Sequence, residues 1–200
     1  MSRLISRTNE SIPADLANLT KVITPERFEE LCRDHSDLRL ELTSTGELIV
    51  MPPAGNNTSM RNANLTYQLA AWARKDGTGV CFDSSTIFAL PNNARRSPDA
   101  AWLRRATWDS LSERQQEGFA PVCPDFVIEL RSRTDNLAPL FNKMLEYMVN
   151  GASLGWLIDP KNQRVYVYRP DQNVVILENP DIVSGDPLLP GFELRTADLW

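Results

Sequence analysis

The stretch Pro124-Asp125-Phe126-Val127-Ile128-Glu129-Leu130-Arg131, read with the two segments that follow it, decides the fold of this chain. In an extended backbone successive side chains point to opposite faces. Phe126, Ile128 and Leu130 therefore share one face, while Val127, Glu129 and Arg131 share the other. Residues 136–150 then carry Leu140, Met144, Tyr147 and Met148 as one apolar stripe at helical spacing, with Gly151 as the stop. Leu154–Ile158 follows directly as another apolar strand.

Upstream, two further apolar runs, Val80–Leu90 and Asp99–Leu103, are separated by turn-rich or charged stretches and are read as strands of the same mixed sheet. The insert Trp108–Gly118 is expected as a short helix. Thr58–Lys75 carries Leu65, Leu69 and Trp72 at i, i+4 and i+7, and Asp76-Gly77 closes this first long helix. Before the breaker Pro52-Pro53-Ala54-Gly55, the alternation from Leu38 to Met51, with a turn at Thr45-Gly46, predicts a β-hairpin. Thr24 and Pro25 supply the cap and first position of a short amphipathic helix ending near Arg33. Beyond Ile158, the turn Asp159-Pro160-Lys161-Asn162 leads into Arg164–Tyr168, and Asn173–Leu177 adds a strand. The central order is helix, three strands, helix, strand. This is an α/β (α+β) chain: a mixed β-sheet flanked by helices, with an N-terminal β-hairpin and C-terminal β additions.

A chain of 200 residues with 42% hydrophobic content can close one substantial core, so residues 22–200 are expected as a single domain. Residues 1–21 show no periodicity and are read as an N-terminal arm. The amino terminus lacks the apolar stretch of a signal peptide and no segment approaches the length of a membrane span, so a soluble cytoplasmic protein with no membrane partner is expected. The three cysteines, Cys32, Cys81 and Cys123, are widely spaced with no C-x-x-C pair, and fit neither a disulfide framework nor a zinc site. A net charge of -5 argues against strong non-specific attraction to nucleic acid, leaving local basic pairs at Arg74-Lys75, Arg95-Arg96, Arg104-Arg105 and Arg131/Arg133. Most of these pairs are expected to be solvated surface charge.

Phosphate-cradling glycine motifs, G-x-S-x-G and H-E-x-x-H are all missing. The one histidine, His35, follows a short helix among charged residues and is read as surface. The carboxylates are more informative. Glu129 interrupts an apolar strand, and a desolvated carboxylate needs a cation, a metal or hydrogen bonds; a structural ion pair with Arg131 or another arginine would serve as well as a site. Asp99, after Ser97-Pro98, either caps a turn or stands beside Glu129 on a neighbouring strand. Two such acids suit a hard cation such as Mg²⁺, whose shell takes one or two protein carboxylates with water or phosphate completing it. Lys143 lies at the edge of the 136–150 stripe. It either buries its stem with the ammonium in water or aims across the sheet, where it could orient water or stabilise a transition state.

Several segments together resemble the Uma-type putative restriction endonuclease family: Gly46-Glu47-Leu48-Ile49-Val50-Met51-Pro52-Pro53, Arg96-Ser97-Pro98-Asp99-Ala100, Pro124–Ser132, Lys143-Met144-Leu145-Glu146-Tyr147, Gly151, Trp156–Pro160 and Pro187–Phe192. The resemblance covers roughly residues 22–200. It implies a branch of the PD-(D/E)XK nuclease superfamily with a restriction-endonuclease-like core. In that pattern Asp99 resembles the first metal-binding acid and Glu129 the acid of the E-x-K element. Arg131 holds the lysine position of that element; it cannot act as a base, and would bind phosphate or pair with a carboxylate. The resemblance makes Lys143 the substitute lysine. Thr58–Lys75 contains no Asp or Glu, so the acid usual on the first core helix would be replaced from the hairpin by Glu41 in preference to Glu47. The implied function is a DNA endonuclease using Mg²⁺ or Mn²⁺, with Asp99, Glu129 and Lys143 catalytic, Asp99, Glu129 and Glu41 on the metal, Arg131 on phosphate, and a homodimer as the assembly. The alternatives are a catalytically inactive nuclease-fold module for nucleic-acid binding or protein assembly, and a structural dimer unit built on exposed Tyr166/Tyr168 and Leu188/Leu189 surfaces.

Overall fold

The computed structural model describes Ile5, Ser6, Leu16 and residues 22–51 and 53–200. Apart from those three residues, the expected arm 1–21 lies outside the described residues, as does Pro52 of the expected breaker. In chain order the elements are β1 (Ile5–Ser6), α1 (Pro25–Asp34), β2 (Arg39–Leu42), β3 (Leu48–Met51), α2 (Asn56–Asp76), β4 (Gly79–Asp83), β5 (Phe88–Ala89), β6 (Arg95–Arg96), β7 (Ala100–Arg104), α3 (Arg105–Asp109), α4 (Glu113–Glu117), β8 (Phe126–Leu130), α5 (Leu137–Val149), β9 (Leu154–Asp159), β10 (Arg164–Tyr168), β11 (Val175–Glu178), β12 (Ile182–Ser184) and β13 (Glu193–Arg195).

A six-stranded sheet runs β11-β10-β9-β8-β7-β4. β8 and β9 are parallel, as a strand-helix-strand crossover requires, and the other neighbours are antiparallel. The alternation along β8 is realised as read. Phe126, Ile128 and Leu130 join Leu65, Leu69 and Ala73 of α2 in one core, together with Trp102, Trp156 and Phe192. Val127 faces the other way, into a second core with Leu140, Met144 and Tyr147 of α5. The sheet is thus covered by α2 on one face and α5 on the other, and Glu129 shares the α5 face. Gly155 permits that close packing, since a Cβ there would lie 2.5 Å from the Met144 Cε.

A second sheet runs β1-β3-β2-β6-β5 and carries the expected hairpin as β2 and β3. Its own core gathers Phe28 and Leu31 of α1, Leu40, Leu42 and Leu48, with Leu16 also buried there. Thr24 caps α1 as expected, accepting from the Arg27 N–H, and α2 stops at Gly77 in the left-handed region (φ 76°).

Several expectations need correction. Val80–Leu90 is not one strand: β4 pairs with β7 in the large sheet, whereas β5 pairs with β6 in the small one. The 108–118 insert resolves into α3 and α4, with a capping box at Ser112 and Gln115. Tyr166, Tyr168 and Leu189 are buried, at 7%, 4% and 0% exposure, because they fill the two cores; they offer no docking surface. Among the described residues no helix is long and apolar enough to cross a membrane.

Candidate metal centre

The chain passes from the small sheet to the large one between β6 and β7, through Ser97-Pro98-Asp99. β7 and β8 are antiparallel with Ala100 opposite Ile128; extending this register by one residue sets Asp99 opposite Glu129. At the end of the ladder Asp99 turns its side chain onto the neighbouring backbone. Its Oδ2 accepts from the Leu130 N–H at 2.8 Å, and its Oδ1 accepts from Asn62 Nδ2 of α2 at 3.0 Å.

Glu129, 4% exposed, meets two side chains one helical turn apart on α5. Lys143 Nζ lies 2.8 Å from its Oε1, and the Tyr147 hydroxyl donates to the same oxygen at 3.1 Å. Lys143 also pairs with Glu41 Oε1 of β2 at 2.7 Å and donates to the Ser97 carbonyl at 3.2 Å, so all three ammonium protons are engaged. Glu41 in turn accepts from the Ser97 N–H at 2.8 Å and from Arg96 Nη1 at 3.1 Å. Arg96 is held on its other side by Glu146, with Nε 2.5 Å from Oε2. Both sheets and α5 therefore meet in one buried ionic network.

Its electrostatics are uneven. Burial pushes the Glu129 carboxyl up to about 7; Lys143 opposes this, while the charges of Asp99 and Glu41 add to it. Asp99 is also raised, because desolvation outweighs the Leu130 N–H and the Lys143 charge. Glu41 is lowered: burial works against its charge, but Lys143 and Arg96 together prevail. Lys143 keeps its proton more firmly than usual despite burial, because Glu129 and Glu41 flank it. The Glu129–Lys143 contact is thus asymmetric. The lysine sees two anions, whereas Glu129 sees one cation and two competing carboxylates.

A cleft of ≈1430 Å³ opens over this network, lined by Glu41, Arg61, Asp99, Glu129, Arg131 and Lys143 among others. Asp99, Glu129, Lys143 and Glu41 all come together on it. Arg131 reaches the cleft but is committed elsewhere. Its Nη1 lies 3.0 and 2.9 Å from the two oxygens of fully buried Asp159, and its Nε donates to the Asp135 carbonyl at 3.1 Å. Of the two alternatives for this arginine, the carboxylate pair is the one formed. Nor is Arg95-Arg96 solvated surface charge: these residues are 9% and 8% exposed. Sequence reasoning missed Asn62, Arg96 and Tyr147. Asn62 heads the buried stripe of α2, at i, i+3 and i+7 with Leu65 and Leu69, and Tyr147 follows Lys143 by four residues. Those spacings were the available signal.

A mixed sheet faced by helices, with an acid at a ladder end opposite a glutamate on the central strand, defines a restriction-endonuclease-like fold. The sequence profile of the family described as "Uma2: Putative restriction endonuclease" matches residues 25–197, and the chain belongs to that family. Among solved structures it is similar to one described as a putative nuclease from Anabaena variabilis, with a TM-score of 0.75 and 22% identity over 88% of this chain and 97% of the other. No curated protein matches the sequence.

Proposed function

We propose that this nuclease-family protein is an endonuclease that hydrolyses DNA phosphodiester bonds with a divalent cation, Mg²⁺ or Mn²⁺, held by Asp99 and Glu129. The observation that carries the reading is Glu129, buried opposite Asp99 and pinned by Lys143 and Tyr147 on the floor of the cleft. The donor set fits such an ion. Among the described residues, Glu41, Glu129 and Glu146 share two cations, Arg96 and Lys143, while Asp99 forms no ion pair, and the deficit falls on Asp99 and Glu129, whose ionised forms are disfavoured. Among the described residues no three His, Cys, Asp or Glu side chains form a ready ligand group. Two hard oxygen donors, with solvent or phosphate completing the shell, are what a hard cation requires. When bound, such a cation polarises a phosphoryl oxygen and makes an attacking water more acidic. The Leu130 N–H and Asn62 fix the two oxygens of Asp99. Lys143, held as an ammonium, orients Glu129 and places positive charge where a pentavalent phosphorus gathers negative charge; it does not serve as a base. Glu41, with both oxygens engaged by protein donors, positions Lys143 and Arg96 rather than the ion.

One observation favours the second reading, a nuclease-fold module that binds nucleic acid without cutting: Lys143 has no proton left for substrate and Arg131 is tied to Asp159. Incubating plasmid and single-stranded DNA with Mg²⁺ or Mn²⁺ separates the two, using the wild type, Asp99→Asn, Glu129→Gln and Lys143→Ala. Metal-dependent cutting lost in all three variants is expected. Equal cutting by wild type and variants would point to contamination, and DNA retention at low salt without cutting would establish the binding module.

A further inference from the structure

Four of the cations that line the cleft are held by acceptors within the protein, while Arg133 and Lys161 stand at its solvent-facing rim. Arg96 lies between Glu41 and Glu146, Lys143 between Glu41 and Glu129, Arg131 against Asp159, and Arg39 donates to the Ser84 carbonyl. Arg61 of α2 differs. It lines the same cleft, and among the described residues its buried Nε has no hydrogen-bond acceptor and its guanidinium forms no ion pair. A buried N–H left without a protein acceptor bears a desolvation penalty that water or a ligand oxygen relieves. Arg61 also immediately precedes Asn62, whose amide holds Asp99 at 3.0 Å. The same turn of α2 therefore supplies both the support of the first acid and an uncommitted guanidinium. A guanidinium presents donors in a planar fork that matches the oxygens of a phosphate.

We propose that Arg61 binds a non-bridging oxygen of the substrate's phosphodiester, the role that the sequence pattern gives to Arg131. This assignment rests on the nuclease reading of the cleft and adds the residue that seats the backbone over Asp99 and Glu129. No covalent step is assigned to it.

The test measures binding and cutting separately. Binding of a short fluorescein-labelled DNA duplex is followed by anisotropy in chelator over a series of KCl concentrations, for wild type, Arg61→Ala, Arg61→Lys and Arg131→Ala. Arg61→Ala should weaken binding by about tenfold and lower the slope of log affinity against log salt by about 0.9, the loss of one phosphate contact. Arg61→Lys should recover the slope but only part of the affinity, and Arg131→Ala, compared at equal folded fraction, should leave the slope unchanged. Thermal unfolding of Arg61→Ala should match or exceed the wild type, because the change removes an unsatisfied buried group.

Cleavage assays then distinguish the two readings. If Arg61→Ala loses affinity and slope while no variant reveals metal-dependent cutting, the Arg61 assignment stands and hydrolysis falls. If cutting depends on metal and on Asp99, yet Arg61→Ala keeps wild-type KM, kcat and salt slope, the Arg61 assignment is overturned and the nuclease reading stands. Failure of the wild type to bind DNA at any salt concentration would overturn both.

Discussion

Lys143 commits its three protons to Glu41, Glu129 and the Ser97 carbonyl, so its removal leaves buried Glu129 without its cation and Glu41 with Arg96 alone. Breaking a buried pair from one side leaves an uncompensated charge, and Lys143→Ala should lose about 3–5 kcal/mol in urea unfolding, read in chelator. Asp99→Asn should behave in the opposite way. Desolvation already disfavours the Asp99 charge, and among the described residues Asn62 Oδ1 is a buried acceptor without a partner. An amide at position 99 can still accept from the Leu130 N–H and, once the Asn62 amide turns over, donate to the Asn62 Oδ1. The variant should therefore unfold at or above the wild-type temperature in chelator while losing the stabilisation by divalent ions that exceeds the effect of NaCl at matched ionic strength. The cysteines give a third expectation. Burial pushes the thiol of Cys32 up to about 11 and those of Cys81 and Cys123 up to about 12. A raised thiol pKa means less thiolate, the reactive form, at a given pH. Alkylation by iodoacetamide at pH 8 should be slow in the folded protein and rapid for all three once denaturant is added; fast native labelling would contradict the packing. At this scale Asp99, Glu129 and Lys143 were legible because acids within apolar strands, and a lysine at the edge of an apolar stripe, are anomalies of pattern. Arg96 was not. Its partners Glu41 and Glu146 lie 55 and 50 residues away, and nothing local marks an arginine as buried.

Among the elements, β8, α5 and β9 were the most legible, because a strand with one interruption and a helix with one stripe each have a single periodicity. Residues 80–90 misled for the converse reason. They are apolar enough for one strand, but the chain leaves the large sheet after Asp83 and joins the small one at Phe88, a choice made by tertiary pairing. The parallel pair β8–β9 is locked at its end by Arg131 and Asp159, just beyond the paired residues Leu130 and Ile158. Asp159 is fully buried and, among the described residues, keeps only Asn162 Nδ2, at 2.6 Å, as another side-chain donor. Arg131→Ala should therefore destabilise the protein by about 3 kcal/mol, the penalty of an orphaned buried charge. Urea unfolding checks this; a loss under about 1 kcal/mol would mean that the pair is solvated as a surface bridge is.

For the molecule as a whole, two sheets converge on one acidic seam while the chain carries a net charge of -5. Long-range attraction to a polyanion is weak under that balance, so a nucleic acid would be held by contacts inside the cleft rather than drawn by the general field. The seam itself is short of positive charge, and a divalent ion between Asp99 and Glu129 would occupy a site that exists only in the folded chain. Binding to the native state alone stabilises it by mass action, by about 2.7 kcal/mol at a hundredfold excess over Kd, or roughly 5–10 °C in Tm at this size. Any salt also relieves the self-repulsion of a negatively charged protein, so a rise in Tm on adding MnCl₂ does not by itself identify a site. The informative quantity is the rise remaining after subtracting NaCl at matched ionic strength. That excess should be present in the wild type and in Arg131→Ala, and absent in Asp99→Asn and Glu129→Gln. An equal excess in all four proteins would place the ion elsewhere on the acidic surface and remove the metal from the Asp99–Glu129 pair.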